Sequence, residues 1–447
     1  MPHPLPARLL LALCLLLAAG FAPISGALAQ EATAPAFDVE QASRAYIDTL
    51  QGEALEKSNA YFEGGYWLIL WGALVTMAID FLLLGTRMTS RFRSWAERRT
   101  KRHWLVTWLT TLPYLLVSWV LTLPWTIYTG YIREKQYDLM SQSYGQWFSE
   151  QLIGLVISLI IFPLLVVAIF ALVRRAPKSW WIWGTGVVAS FAFIGLLLAP
   201  VFIAPMFNEY SDMAEGPLRD RIVAMAAEHD VPADNIYVFD QSTQNKRISA
   251  NVSGVGPTIR ISLNDNLLER TDPEEVAAVM GHELGHYVLG HTWRSIIILT
   301  LIMAVGLFFV ARAGPWLIAR FGQRWGVHDM ADPAALPLYG ILLSVFFLLA
   351  TPALNTLIRV NESDADRFGL DTAKEPDGFA KVAMRLSEYR KIEPGPIEEF
   401  LFFDHPSGAT RVRMAMQWKA DNVDNPQMVV PEGLGAANDA PAPEQPE

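Results

Sequence analysis

The stretch HELGHYVLGHTWRSIIILTLIMAVGLFFV, residues 282–310, sets a metal-ligand pattern directly against an apolar run of membrane-spanning length. His282, Glu283 and His286 form an HExxH motif. On a helix the two histidines lie one turn apart on one face, so both imidazoles can reach a single ion. Glu283 sits beside them and can take a proton from the attacking water. The preceding residues favour such a helix. Thr271 or Asp272 can cap it, Pro273 suits its first position, and Glu274 and Glu275 suit its positive end. A histidine-bearing amphipathic helix at a membrane surface is the plainer alternative, and the specificity of the motif weighs against it.

Outward from the motif, the chain reads as a multi-pass membrane protein. Hydrophobic residues make up 52% of its 447 residues and charged residues only 18%, with 15 Trp and 23 Phe. A soluble protein typically carries about 25% charge. This composition excludes a disordered chain and an ordinary cytosolic enzyme. The net charge of −10 excludes a nucleic-acid binder driven by basic charge. Six apolar runs have spanning length: 66–86, 104–128, 151–173, 180–204, 295–311 and 335–358. Pro113, Pro124, Pro163 and Pro352 lie inside them, as membrane helices tolerate. Asp80 is the one acid within a span, either a polar contact facing a cavity or a group close to the lipid headgroups.

Both ends fall outside this core. Residues 1–29 read as a signal peptide, with an apolar run at Leu9 to Ala19 and a small-x-small site at Ala27-Leu28-Ala29. Cys14 is the single cysteine, so no disulfide framework or thiolate metal cluster is available. Segment 30–62 reads as amphipathic or surface helix, with Tyr46, Ile47, Leu50 and Leu55 on one face. The tail, 421–447, is rich in Pro, Ala, Asn and acids and reads as disordered. Between these ends the expected parts are surface helices and four spans over 30–204, an HExxH part over 205–293, a membrane hairpin over 294–358, and a C-terminal part over 359–420.

Loop charge sets the orientation. Loop 87–103 holds Arg87, Arg91, Arg93, Arg98, Arg99, Lys101 and Arg102 against the single acid Glu97, and should lie in the cytoplasm. Segment 205–293 carries 6 bases and 14 acids, and alternation of the spans puts it and the region after 358 on the outer side.

A catalytic zinc takes three protein ligands and keeps one position open. His291 is one residue short of the extended metzincin pattern and projects to a different face. Asn361-Glu362-Ser363-Asp364-Ala365-Asp366 is the better source. Glu362 and Asp366 are four apart on a helix and share a face, Glu362 to bind the metal and Asp366 to fix the tautomer of a ligand imidazole. A solvated acidic run is the alternative. The hairpin between the motifs returns Glu362 to the membrane face that holds His282 and His286.

HELGHYVLGH, a membrane hairpin and then NESDADRFG resemble the type I CAAX prenyl protease family of membrane zinc metallopeptidases. The resemblance extends to the N-terminal spans, to LRDRIVAMAAEHDVPADNIYVFD at 218–240, and to His405-Pro406-Ser407 followed by Arg411. It implies a mainly α fold, a multi-pass helical membrane barrel around a chamber with a small α+β zinc peptidase domain. It implies one zinc per chain on His282, His286 and Glu362, Glu283 as base, Asp366 in support, and His405 and Arg411 lining the active site, where either could stabilise the oxyanion. A turn at Asp404-His405-Pro406 and a surface charge is the alternative for the last two. Segment 244–263 reads as two strands around Gly254-Val255-Gly256. Related enzymes often carry Asn-Ala-Tyr before this Gly-x-Gly; Ser249, Ala250 and Asn251 stand here, a departure that leaves backbone pairing as the substrate contact.

The expected function is endoproteolysis by zinc-activated water, on a polypeptide substrate and within a lipid bilayer. The signal-like N-terminus and loop charges point to a bacterial inner membrane with the site facing the periplasm. There, envelope or membrane polypeptides are more natural substrates than prenylated chains. A site-2-type protease would carry its motif within a span, and an inactive scaffold would be expected to lose a ligand or the base; all four residues stand.

Overall fold

In the computed structural model, which describes residues 37–254, 258–429 and 431, the N-terminal part is a series of long helices. After a short helix α1 (Val39–Ile47), helix α2 (Gly52–Gly85) runs unbroken for 34 residues. It therefore merges much of the expected surface segment with the first span, because Gly64 and Gly65 do not interrupt it. Helix α3 (Met88–Arg99) occupies most of the basic stretch expected as a loop. Then come α4 (His103–Ile127), prolonged by a π turn to Gln136, α5 (Tyr144–Arg175) and α6 (Trp180–Leu198). The stretches Trp180–Leu196 and Ala199–Met206 meet at 47°, so the expected span 180–204 is bent. The expected signal peptide lies outside the described residues, as do Val255, Gly256 and, in the tail, 430 and 432–447.

The middle of the chain forms a small α+β unit. Strands β1 (Tyr210–Asp212), β2 (Ile236–Phe239), β3 (Ala250–Ser253) and β4 (Arg260–Asn264) form one sheet in the order β1–β2–β4–β3. β2 and β4 are parallel, and the outer pairs are antiparallel. β3 is thus an edge strand. Helix α7 (Pro217–Glu228) lies between β1 and β2, and α8 (Asp265–Arg270) and α9 (Pro273–Val288) follow β4. Ile222, Ile261, Leu263, Leu267, Met280 and Leu284 are fully buried in one cluster. Each such side chain contributes about 1.5–3 kcal/mol. The start of α9 follows its sequence signals: Pro273 opens it, and the Asp272 N–H donates to Glu275 Oε2 at 2.9 Å.

Helices α10 (His291–Trp325) and α11 (Leu336–Ala373) form the expected hairpin. Both outrun it. The expected boundary at 293/294 falls inside α10, and that at 358/359 inside α11. Helices α12 (Pro376–Leu386), α13 (Pro396–Phe402) and α14 (Gly408–Asn422) complete the described chain, so the first residues of the expected tail are helical. Among the described residues, five helical stretches, Gly52–Gly85, His103–Gln136, Tyr144–Arg175, His291–Trp325 and Pro333–Ala373, are long and apolar enough to cross a membrane, and the bent pair makes a sixth candidate. Their apolar side chains point outward, with Trp67 63% and Leu301 61% exposed, as a lipid environment requires. Asp80 is buried, accepts from the Tyr114 hydroxyl at 2.9 Å and abuts Gly340, so it joins α2, α4 and α11 as a packed contact.

Two glycines set the crossing that builds the site. A Cβ on Gly369 of α11 would lie 2.7 Å from His282 N, and one on Gly281 of α9 would lie 2.8 Å from the Gly369 carbonyl oxygen. Backbone therefore meets backbone one residue before the first motif histidine.

Candidate metal centre

Helix α9 presents His282 and His286 on one face, and α11 presents Glu362 against them. The two Nε2 atoms are 3.0 Å apart, and the Glu362 carboxylate lies 3.3 Å from each. The three donors all fall within 4.8 Å of one another. Two nitrogens sharing a tetrahedral zinc stand roughly 3.3 Å apart, so the donor set fits such an ion.

The ring nitrogens on the far side are held as well. His282 Nδ1 meets Asp366 Oδ1 at 2.8 Å, and His286 Nδ1 meets His291 Nδ1 at 3.0 Å. Each contact turns Nε2 toward the centre, which is how surrounding partners orient a ligand imidazole. The Asp366 contact is the one expected from sequence. The His291 contact is not. α9 ends in a turn at Leu289-Gly290, where Gly290 has φ 65°, and His291 opens α10 folded back onto His286. Extending one helix through 291 sends that side chain elsewhere; the glycine two residues after Val288 was the signal for a break.

Asp366 is fully buried and carries a second load. Arg411 of α14 donates from Nε to Oδ2 at 2.8 Å and from Nη2 to Oδ1 at 2.6 Å. Its guanidinium is committed to this fork, with Glu362 only at 3.6 Å. Arg411 thus holds the carboxylate that meets His282, and it also lines the cavity of the donor cluster. His405 lies on the loop before α14, its Nδ1 2.8 Å from Asp404 Oδ1 and its Nε2 3.3 Å from Glu362 Oε2. Burial pushes its imidazole down, against the pull of Asp404.

Burial also disfavours charge on His282, but the bonds to Asp366 and Glu362 outweigh it and lift the imidazole to about 10. A cation and a proton therefore compete for this site. Glu283 is raised by burial, opposed by the neighbouring histidines. It makes no hydrogen bond or ion pair with any described residue.

Glu283, His405 and the expected ligands line one cavity of about 290 Å³. Ile248, Ser249 and Ala250, which lead into edge strand β3, line it too. An extended peptide laid along that edge would pass the donor cluster.

Residues 213–419 match the family model of peptidase family M48, and residues 38–209 match that of the CAAX prenyl protease N-terminal region, described as five membrane helices. The uncharacterized metalloprotease YhfN of Bacillus subtilis is 26% identical over 354 residues, 78% of this chain and 82% of its own. A CAAX prenyl protease 1 homolog of Arabidopsis thaliana is 26% identical over 317 residues, 69% of this chain and 71% of its own. The crystal structure of S. mikatae Ste24p shares the fold, with a TM-score of 0.70 at 16% identity over 85% of this chain and 96% of that one.

Proposed function

The chain belongs to peptidase family M48 and is a multi-pass membrane metallopeptidase, and from that premise we propose that it hydrolyses membrane-associated polypeptides on the envelope side of a bacterial inner membrane. In this reading His282, His286 and Glu362 hold one zinc per chain. Bound there, zinc supplies Lewis acidity toward the scissile carbonyl and lowers the pKa of the attacking water. Glu283 takes the proton from that water and passes it to the leaving amine. Asp366, held by Arg411, orients His282, and His291 orients His286. His405, anchored at Nδ1 by Asp404, lies on the cavity wall where it can meet the developing oxyanion. The edge of β3 pairs with the substrate backbone, which leaves sequence selection to the surrounding walls.

One observation carries this reading. Both histidine Nε2 atoms and the Glu362 carboxylate converge, while Glu283 on the same wall is unengaged. A scaffold that had lost catalysis would have no reason to keep an unpaired carboxylate beside a complete donor set. The envelope-side location and the substrate class rest on loop charge and on the signal-like N-terminus.

The experiment is zinc content together with cleavage of an unstructured peptide, wild type against Glu283→Gln. The variant should retain about one zinc per chain and lose most hydrolysis. Near-normal turnover would mean that another base acts.

A further inference from the structure

Arg390 stands in the segment between α12 and α13 and forms part of the wall of three adjoining cavities. One is the cavity of the donor cluster. Another, of about 580 Å³, extends from it along Tyr61, Tyr66, Tyr389 and Phe402. Four other bases line these cavities, and each is committed. Arg133 donates to the Tyr61 carbonyl, Arg247 to Glu134 at 2.5 Å, Lys391 to Glu398 at 2.9 Å, and Arg411 to Asp366. The Arg390 guanidinium alone makes no hydrogen bond or ion pair with any described residue. Its backbone is nevertheless fixed, because Ser58 Oγ of α2 donates to its carbonyl oxygen at 3.1 Å. Arg390 is half-buried.

Asp404, which feels the charge of Arg390, is already engaged by His405 Nδ1, so the planar fork of Arg390 keeps its donors open to a further carboxylate. The walls around it are mostly apolar or already paired. From this the geometry points to a specificity site: Arg390 receives a carboxylate of the bound polypeptide, supplied by its chain terminus or by an acidic side chain near the scissile bond. This rests on the metallopeptidase reading above and adds a substrate class to it. Arg390 lines the cavity of the donor cluster without being one of the three donors, so the site tunes binding more than the chemical step.

Three matched peptides test it. One has a free C-terminal carboxylate and no acidic side chain. The second is the same peptide amidated. The third is amidated and carries one Glu in place of Gln beside the cleaved bond. With the zinc-loaded full chain, Arg390→Gln should raise KM for one carboxylate-bearing peptide roughly 10- to 100-fold. The rise in KM should exceed any change in kcat, and the neutral amidated peptide should show no such rise. Arg390→Lys should recover part of the loss. The peptide affected identifies the carboxylate. Equal effects on all three peptides, or none, would overturn the proposal.

A binding arm separates this failure from failure of the catalytic reading. Fluorescence anisotropy of the same peptides on Glu283→Gln, with and without Arg390→Gln, reads charge selection when nothing is cleaved. If Glu283→Gln still turns over, the assigned base is wrong while Arg390 remains tested.

Discussion

Arg411 grips Asp366 with both arms of its guanidinium, 2.8 Å from Nε to Oδ2 and 2.6 Å from Nη2 to Oδ1, and the same Oδ1 meets His282 Nδ1 at 2.8 Å. All three groups are buried. A carboxylate shared by a guanidinium and an imidazole has its orientation set twice, and it transmits that orientation to the first motif histidine.

Removing the clamp should therefore harm both fold and metal. Arg411→Ala leaves Asp366 buried and without its cation, which costs about 3–5 kcal/mol. Asp366→Asn keeps the shape and loses the charge, and zinc affinity should fall roughly 10- to 100-fold. Thermal melting and competitive zinc titration read the two separately. Wild-type zinc affinity in Asp366→Asn would show that His282 needs no such orientation.

The contact between His286 Nδ1 and His291 Nδ1, 3.0 Å apart, makes a parallel prediction. With Nε2 of His286 directed to the donor cluster, its Nδ1 carries the proton, so His291 accepts. His291→Leu removes that acceptor and should weaken zinc binding by about tenfold or more. His291→Gln keeps an acceptor oxygen and should be milder. Equal zinc affinity in both variants and wild type would reduce His291 to packing.

How far the sequence spoke follows from these contacts. His282, Glu283 and His286 are legible because helical spacing alone puts them together, and Glu362 because a hairpin between two motifs must return to its starting face. The partners of those residues depend on breaks and distant loops. His291 arrives through a glycine turn, and Arg411 from a helix 45 residues beyond Asp366. Helix length was hidden for another reason. Between 358 and 373 no proline interrupts the chain, so α11 continues from apolar to polar residues and ends only at Lys374, ahead of Pro376. Hydropathy marks where a helix meets lipid and says nothing of where it stops.

The α9–α11 crossing offers a test of how geometry reaches the site. A Cβ at Gly369 would sit 2.7 Å from His282 N, and backbone cannot give way as a side-chain end does. Gly369→Ala should push the helices apart and cost about 1–3 kcal/mol. Zinc affinity should fall with it, since His282 and Glu362 ride on opposite sides of the contact. Gly145→Ala meets nothing within 4 Å and serves as the control. Loss of stability with unchanged zinc affinity would show that the donors adjust independently of the crossing.

The side of the membrane that holds the site can be tested with a reporter. Seven bases between residues 87 and 102 face a single acid, Glu97, which favours retention in the cytoplasm. Packing lowers the free charge without erasing it. Arg93 is buried against Asp332, and Arg87 donates to the Arg324 carbonyl at 2.9 Å, which ties this helix to the start of the hairpin's inner turn. Arg91, Arg98, Arg99, Lys101 and Arg102 make no ion pair with any described residue. The two segments that carry the donors lie across the spans from this cluster, and 205–293 has an excess of acids. A phosphatase-type reporter fused after residue 420 should therefore be active in the periplasm, and a fluorescent reporter that folds only in the cytosol should stay dark. Fusions after residue 100 should behave in the opposite way. Reversal of both patterns would put the donor cluster in the cytoplasm, and the substrates to be sought would then be cytosolic chains tethered to the membrane.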